Sequence, residues 1–219
     1  MTRAAFRPFE RYVAIGDSST EGLDDPDGRG HYRGWADRLA EHLAAAQGGA
    51  GYANLAIRGR RTRQVLDEQL GPALALDPDL VTLFTGTNDV VSRQFDPDRL
   101  RRDLEAIHQP LAAAGATLLT FTLPDLSPVM PLARLLRGRI ATLNHCVRDV
   151  SAASGAILLD FAEVATTGDP RLWSGDRFHA NSAGHARIAA ALARALGLPG
   201  TDNAWAVPLP PLPARGIGS

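Results

Sequence analysis

Ser18 closes the triplet Gly16-Asp17-Ser18, directly after a short β-rich run, Tyr12–Ile15. A hydroxyl at the carboxyl end of a strand in an open α/β sheet faces the ligand crevice, and a serine beside a base is an acyl-transfer nucleophile. Near the other end, Asp176 and His179 lie three residues apart. One turn then brings the carboxylate to one imidazole nitrogen and leaves the other free, giving a base and its orienter. Gly59 and Asn88 follow the second and third apolar runs. A glycine lets an oxygen approach the backbone amide and an asparagine offers an NH₂, and these are parts of an oxyanion hole. Taken singly, each has a plainer explanation: a common turn composition, a surface turn with a solvated histidine, or loop geometry.

Stepping along the chain, five β-rich runs, Tyr12–Ile15, Asn54–Ile57, Leu80–Thr85, Thr117–Thr122 and Ala156–Leu159, read as buried strands. Segments of helical spacing separate or follow them: Trp35, Leu39 and Leu43; Val65, Leu66 and Leu70; Leu100, Leu104, Ile107 and Leu111; Ile140, Leu143 and Val147; Ile188, Leu192 and Leu196. Asp96 before Pro97 reads as an N-cap, and Gly71 and Gly115 as helix stops. The alternation predicts a three-layer α/β/α sandwich on a five-stranded parallel sheet, flavodoxin-like, with chemistry at the strand ends. The division expected is one catalytic domain over 1–200 and a Pro-rich tail over 201–219, whose run Pro208 to Pro213 favours polyproline II and packing on its own chain. The apolar stretch Leu123–Pro131 and Trp173 are candidates for pocket wall.

Composition narrows the chemistry. The 219 residues are ordinary for a single globular core, and a net charge of -1 gives no field that would hold a nucleic acid. All 23 basic residues are arginine, so mechanisms needing a lysine amine are excluded. One cysteine, Cys146, forms neither an internal disulfide nor a Cys-rich metal site. No run approaches the roughly 18 apolar residues of a membrane span or forms a signal-peptide core, which points to a cytoplasmic protein without membrane insertion.

With these positions in hand, the sequence resembles the SGNH hydrolases, the GDSL esterases and lipases, over residues 12 to 196. The blocks are Gly16-Asp17-Ser18-Ser19, without the leucine that names the subfamily; Asn54 to Gly59; Gly86-Thr87-Asn88-Asp89; and Asp176 to Asn181, followed by Gly184-His185. The resemblance implies Ser18 as nucleophile, His179 as base, Asp176 as its orienter, and Ser18, Gly59 and Asn88 as oxyanion donors. It also implies an ester substrate of small-molecule size, with neither cofactor nor metal. Short-chain carboxylic esters are the first expectation, with sugar acetates and thioesters as alternatives.

Three other readings compete. The α/β-hydrolase elbow needs Gly-x-Ser-x-Gly, but Thr20 stands at the fifth position. A hydrolytic metal on Asp176, His179 and His185 lacks a further ligand cluster, and a flavodoxin-like binding module would have no reason to align a nucleophile, a base and donors. Arg58, Arg60, Arg61 and Arg63 surround Gly59. They either pair with carboxylates of neighbouring segments or steer an anionic ester to Ser18.

Overall fold

The computed structural model describes residues 8–130 and 133–211. Five strands, β1 (Arg11–Gly16), β2 (Gly51–Asn54), β3 (Leu80–Phe84), β4 (Thr117–Phe121) and β5 (Ile157–Leu159), form one parallel sheet in the order β2-β1-β3-β4-β5. Helices α1 (Ser18–Glu21), α2 (Gly34–Gln47), α3 (Thr62–Ala75), α4 (Thr87–Val91), α5 (Pro97–Ala113), α6 (Ala133–Ser154) and α7 (Ser182–Ala195) connect and cover it. Every residue of β3 is buried, as expected for a central strand covered on both faces. One helical layer pairs α2 with α7 and the other joins α3, α5 and α6. The chain crosses from β2 back over β1 to β3, so the topological switch point lies between β1 and β3, the position where such sheets open a crevice.

Two boundaries differ from the sequence expectation by more than a single residue. The second strand covers Gly51–Asn54 and not Asn54–Ile57, because the Asn54 side chain turns the backbone, accepting the Ala56 N–H at 3.1 Å. The amides of Leu55 and Ile57 still donate to β1 carbonyls, so the apolar pattern is satisfied beyond the strand end. Helix α3 runs through Gly71 to Ala75 with Pro72 inside it; packing of Val65, Gln69 and Ala73 outweighs the local stop. Asp96 does cap α5, accepting from the Arg99 amide, and Gly115 follows that helix at φ +84°.

The chain after α7 lies back on the molecule. Arg187 donates to the carbonyls of Trp205 at 2.9 Å and Val207 at 2.7 Å, and Arg171 to those of Pro210 at 2.6 Å and Leu209 at 3.3 Å. Leu212, Pro213 and Arg215 of the expected proline segment lie outside the described residues. Among those described, no helix is long and apolar enough to cross a membrane.

Candidate active site

Ser18 opens α1 immediately beyond β1. The turn that delivers it requires glycine at position 16, where φ is +151° and a Cβ would fall 2.2 Å from the Phe84 carbonyl oxygen of β3. Asp17 caps α1, its Oδ1 accepting the Ser19 N–H at 3.1 Å. The Asp17 carboxyl is 1% exposed, and burial pushes its pKa up to about 7 against the Ser19 N–H, with the Asp89 charge adding to the rise. Ser19, the next residue in the chain, accepts from the Trp35 Nε1–H at 3.4 Å.

His179 arrives from 161 residues away, on a tight turn between Trp173 and Ala180. The Ser174 N–H donates to the His179 carbonyl at 2.8 Å, and Asn181 caps α7 while its NH₂ holds the carbonyls of Arg171 and Trp173. In that frame the Ser18 hydroxyl lies 2.8 Å from His179 Nε2, and His179 Nδ1 lies 2.6 Å from Asp176 Oδ2. A carboxylate only accepts, so Nδ1 carries the hydrogen and Nε2 is left to accept from Ser18. Partial burial raises the Asp176 pKa, but donation from the His179 N–H, the Ser174 hydroxyl, the Phe178 N–H and the His179 ring outweighs it. The carboxyl is held well below the usual range, charged across the working pH span.

The Ser18 and Gly59 amides have no hydrogen-bond acceptor among the described residues. Gly59 sits at φ +77°, a backbone conformation that favours glycine, with nothing within 4 Å of where a Cβ would stand. Asn88 Nδ2 donates to the Arg60 carbonyl at 2.9 Å and, more weakly, towards Asp17 Oδ2 at 3.4 Å, tying the Gly59 loop to the Ser18 turn. Asp89 secures the same loop by accepting from the Thr62 amide at 2.9 Å and its hydroxyl at 3.0 Å. That carboxylate supplies, from α4, the acid that the start of α3 lacks. The arginines around Gly59 are engaged: Arg58 with Glu21, Arg60 with Glu68, and Arg63 with Asp67 and Asp103. Pairing accounts for three of the four.

Beside Ser18 and His179 opens a narrow cavity of about 70 Å³, room for a handful of water-sized groups. Its walls are mostly apolar and aromatic: Phe84, Phe121, Leu123, Phe161, Trp173 and Trp205 among others. Phe121 stacks on Phe84 at 4.3 Å and meets Phe161 edge-on at 5.3 Å, so the ends of β3, β4 and β5 carry one aromatic wall.

One neighbour escapes sequence reasoning. Asp24, at φ +68°, brings a second carboxylate 4.0 Å from His179 Nδ1, and no motif spacing marks it. The atoms of Asp24, Asp176 and His179 lie within 4.8 Å of one another, while His185 stands apart from them. Its Nδ1 accepts the Trp35 N–H at 3.0 Å, so its Nε2–H donates to the Leu23 carbonyl at 3.0 Å, fixing the loop that bears Asp24. Burial lowers the pKa of His185 and keeps it neutral for that task.

The sequence profile of the GDSL-like Lipase/Acylhydrolase family matches residues 14–187, and the chain belongs to that family: it is a GDSL-type esterase on the SGNH hydrolase fold. Similar solved structures include LAE5, described as an alpha/beta hydrolase enzyme from the metagenome of Lake Arreo, Spain, at 25% identity over 86% of this chain and 95% of that one, with a TM-score of 0.72. Axe2, an acetylxylan esterase from Geobacillus stearothermophilus, is 20% identical over 86% of this chain and 94% of its own, with a TM-score of 0.71. TesA is 24% identical over 85% and 98%, with a TM-score of 0.68. Comparison with curated proteins returns no match.

Proposed function

We propose that the protein hydrolyses short-chain carboxylic esters through an acyl-enzyme on Ser18. The Ser18–His179–Asp176 chain of hydrogen bonds, 2.8 and 2.6 Å long, carries this reading. Ser18 Oγ attacks the ester carbonyl carbon as its proton passes to His179 Nε2, and Asp176 holds the resulting imidazolium. Negative charge on the carbonyl oxygen is met by the Ser18 and Gly59 amides, with the weakly engaged hydrogen of Asn88 free to turn towards it. Collapse of the intermediate breaks the ester C–O bond, and His179 returns the proton to the departing alcohol. Water then repeats the sequence and frees the acid.

The alcohol must leave for solvent while the acyl group stays on Ser18, so the apolar cavity suits the acyl part. Its size favours a short chain. An acetyl group fits as well, and a sugar acetate remains an alternative substrate in which the sugar would lie outside the apolar walls.

The test combines a fluorophosphonate probe with p-nitrophenyl esters of increasing chain length. Labelling and hydrolysis are expected in the wild type and in excess EDTA, and both should vanish in Ser18→Ala. An unlabelled protein, or a Ser18→Ala variant that still turns over, would refute the mechanism.

A further inference from the structure

The apolar cavity reaches residues beyond 187, where the family match ends. Ser18 stands at the end of β1 and Phe161 just past β5, three strand spacings away in the sheet, about 14 Å. Trp205 packs edge-on against Phe161, with centroids 6.0 Å apart and planes at 80°, and it lines the cavity with Phe161, Arg187 and Ile188. The indole thus lies at the β5 side of the cavity, across the sheet from the reacting hydroxyl.

We infer that Trp205 is the end wall of the acyl cavity, so that this chain's own C-terminal segment sets the longest acyl group accepted. The inference rests on the esterase reading of Ser18. A fully buried stop made by the sheet itself would be shared by any chain with these strands. Here the stop comes from a segment laid on afterwards.

The way that segment is held makes the wall separable from its anchor. Its grip comes from backbone carbonyls: Trp205 and Val207 accept from Arg187, and Leu209 and Pro210 from Arg171. Asp202 accepts the Ala204 N–H at 2.8 Å and shapes the turn. The indole Nε1, by contrast, is buried without a hydrogen-bond partner among the described residues. Removing the ring therefore costs packing against Phe161 but none of the polar contacts that fix the main chain, and it leaves room where an acyl chain would end.

The experiment compares kcat/KM for acetyl, butanoyl, hexanoyl and octanoyl p-nitrophenyl esters in the wild type, Trp205→Ala and Trp205→Phe, each checked by circular dichroism. The wild type should fall off beyond the short chains. The octanoyl-to-acetyl ratio should rise about tenfold or more in Trp205→Ala and by less in Trp205→Phe, since each additional methylene that gains a buried place is worth several-fold. An unchanged ratio in a folded variant, or equal loss at every chain length, would overturn the inference. Should Trp205→Ala not fold, the shift in Trp205→Phe decides. Hydrolysis that is insensitive to Ser18→Ala would instead sink the esterase reading itself, so the two failures are distinguishable.

Discussion

The Ser18 end of the crevice and its aromatic β4 and β5 end are built on opposite principles. Around Ser18 the polar groups are tied by hydrogen bonds, from the Ser19 N–H to Asp17, the Asn88 NH₂ to the Arg60 carbonyl and the His179 ring to Asp176. Around Phe121 and Phe161 the surfaces are rings held by packing, and the outermost ring is carried on a segment anchored by carbonyls. The first region fixes the placement of individual atoms, as bond-making demands; the second fixes a volume. Substitutions in the polar half should therefore change how fast any ester reacts. Those in the aromatic half should change which ester does.

The sharpest break is Ser18→Ala, expected to lower hydrolysis of every ester about 10⁴- to 10⁶-fold with the fold intact. A loss confined to one chain length would blur the division. Asn88→Ala should cost about 10² to 10³-fold in kcat, again uniformly, since the proposed oxyanion donor goes and the Gly59 loop loses its tie to the Ser18 turn. If KM alone moved, Asn88 would belong to binding.

Asp17 gives a prediction in stability. Its carboxyl has a pKa near 7 when folded and an ordinary, lower one when unfolded, so the folded state binds the extra proton. The resulting stabilisation is fully present below about pH 4 and is lost as pH rises through about 7, amounting to about 4 kcal/mol. Asp17→Asn, which keeps an acceptor for Ser19, abolishes that slope. Its melting temperature relative to wild type should climb steadily between about pH 4 and 8, and a pH-independent difference would contradict the burial argument.

The smallest effect concerns the arginines by Gly59. Because Arg60 is paired with Glu68, Arg60→Ala should change kcat/KM for a neutral ester and a matched carboxylate-bearing ester alike, by less than about twofold. An anionic preference at about 20 mM salt that disappears at about 300 mM and in the variant would restore a steering role to the cluster.

The same division governs what the sequence reveals. Ser18, Asp176, His179 and Asn88 stand out because hydrogen-bonding chemistry needs particular residue types at strand ends and one-turn spacings. The sheet is legible for a similar reason: fully buried strands such as Leu80–Phe84 need apolar residues at every position. Asn54 stopping β2 and α3 running past Gly71 depend on side-chain capping and tertiary packing, which local pattern does not encode. Asp24 and Trp205 are set by a loop and a tail folding onto distant elements. Any apolar side chain of suitable size could have formed the wall, so no residue type announces it.

The placement of the tryptophans has an optical consequence. The protein has three, and Trp35 contacts Ser19 while Trp173 and Trp205 line the cavity. Tryptophan emission, excited selectively, therefore comes from indoles at or beside the crevice. Acylation of Ser18 or entry of an apolar chain would alter their surroundings directly, and a stopped-flow fluorescence trace could resolve acyl-enzyme formation from its breakdown without a chromogenic leaving group.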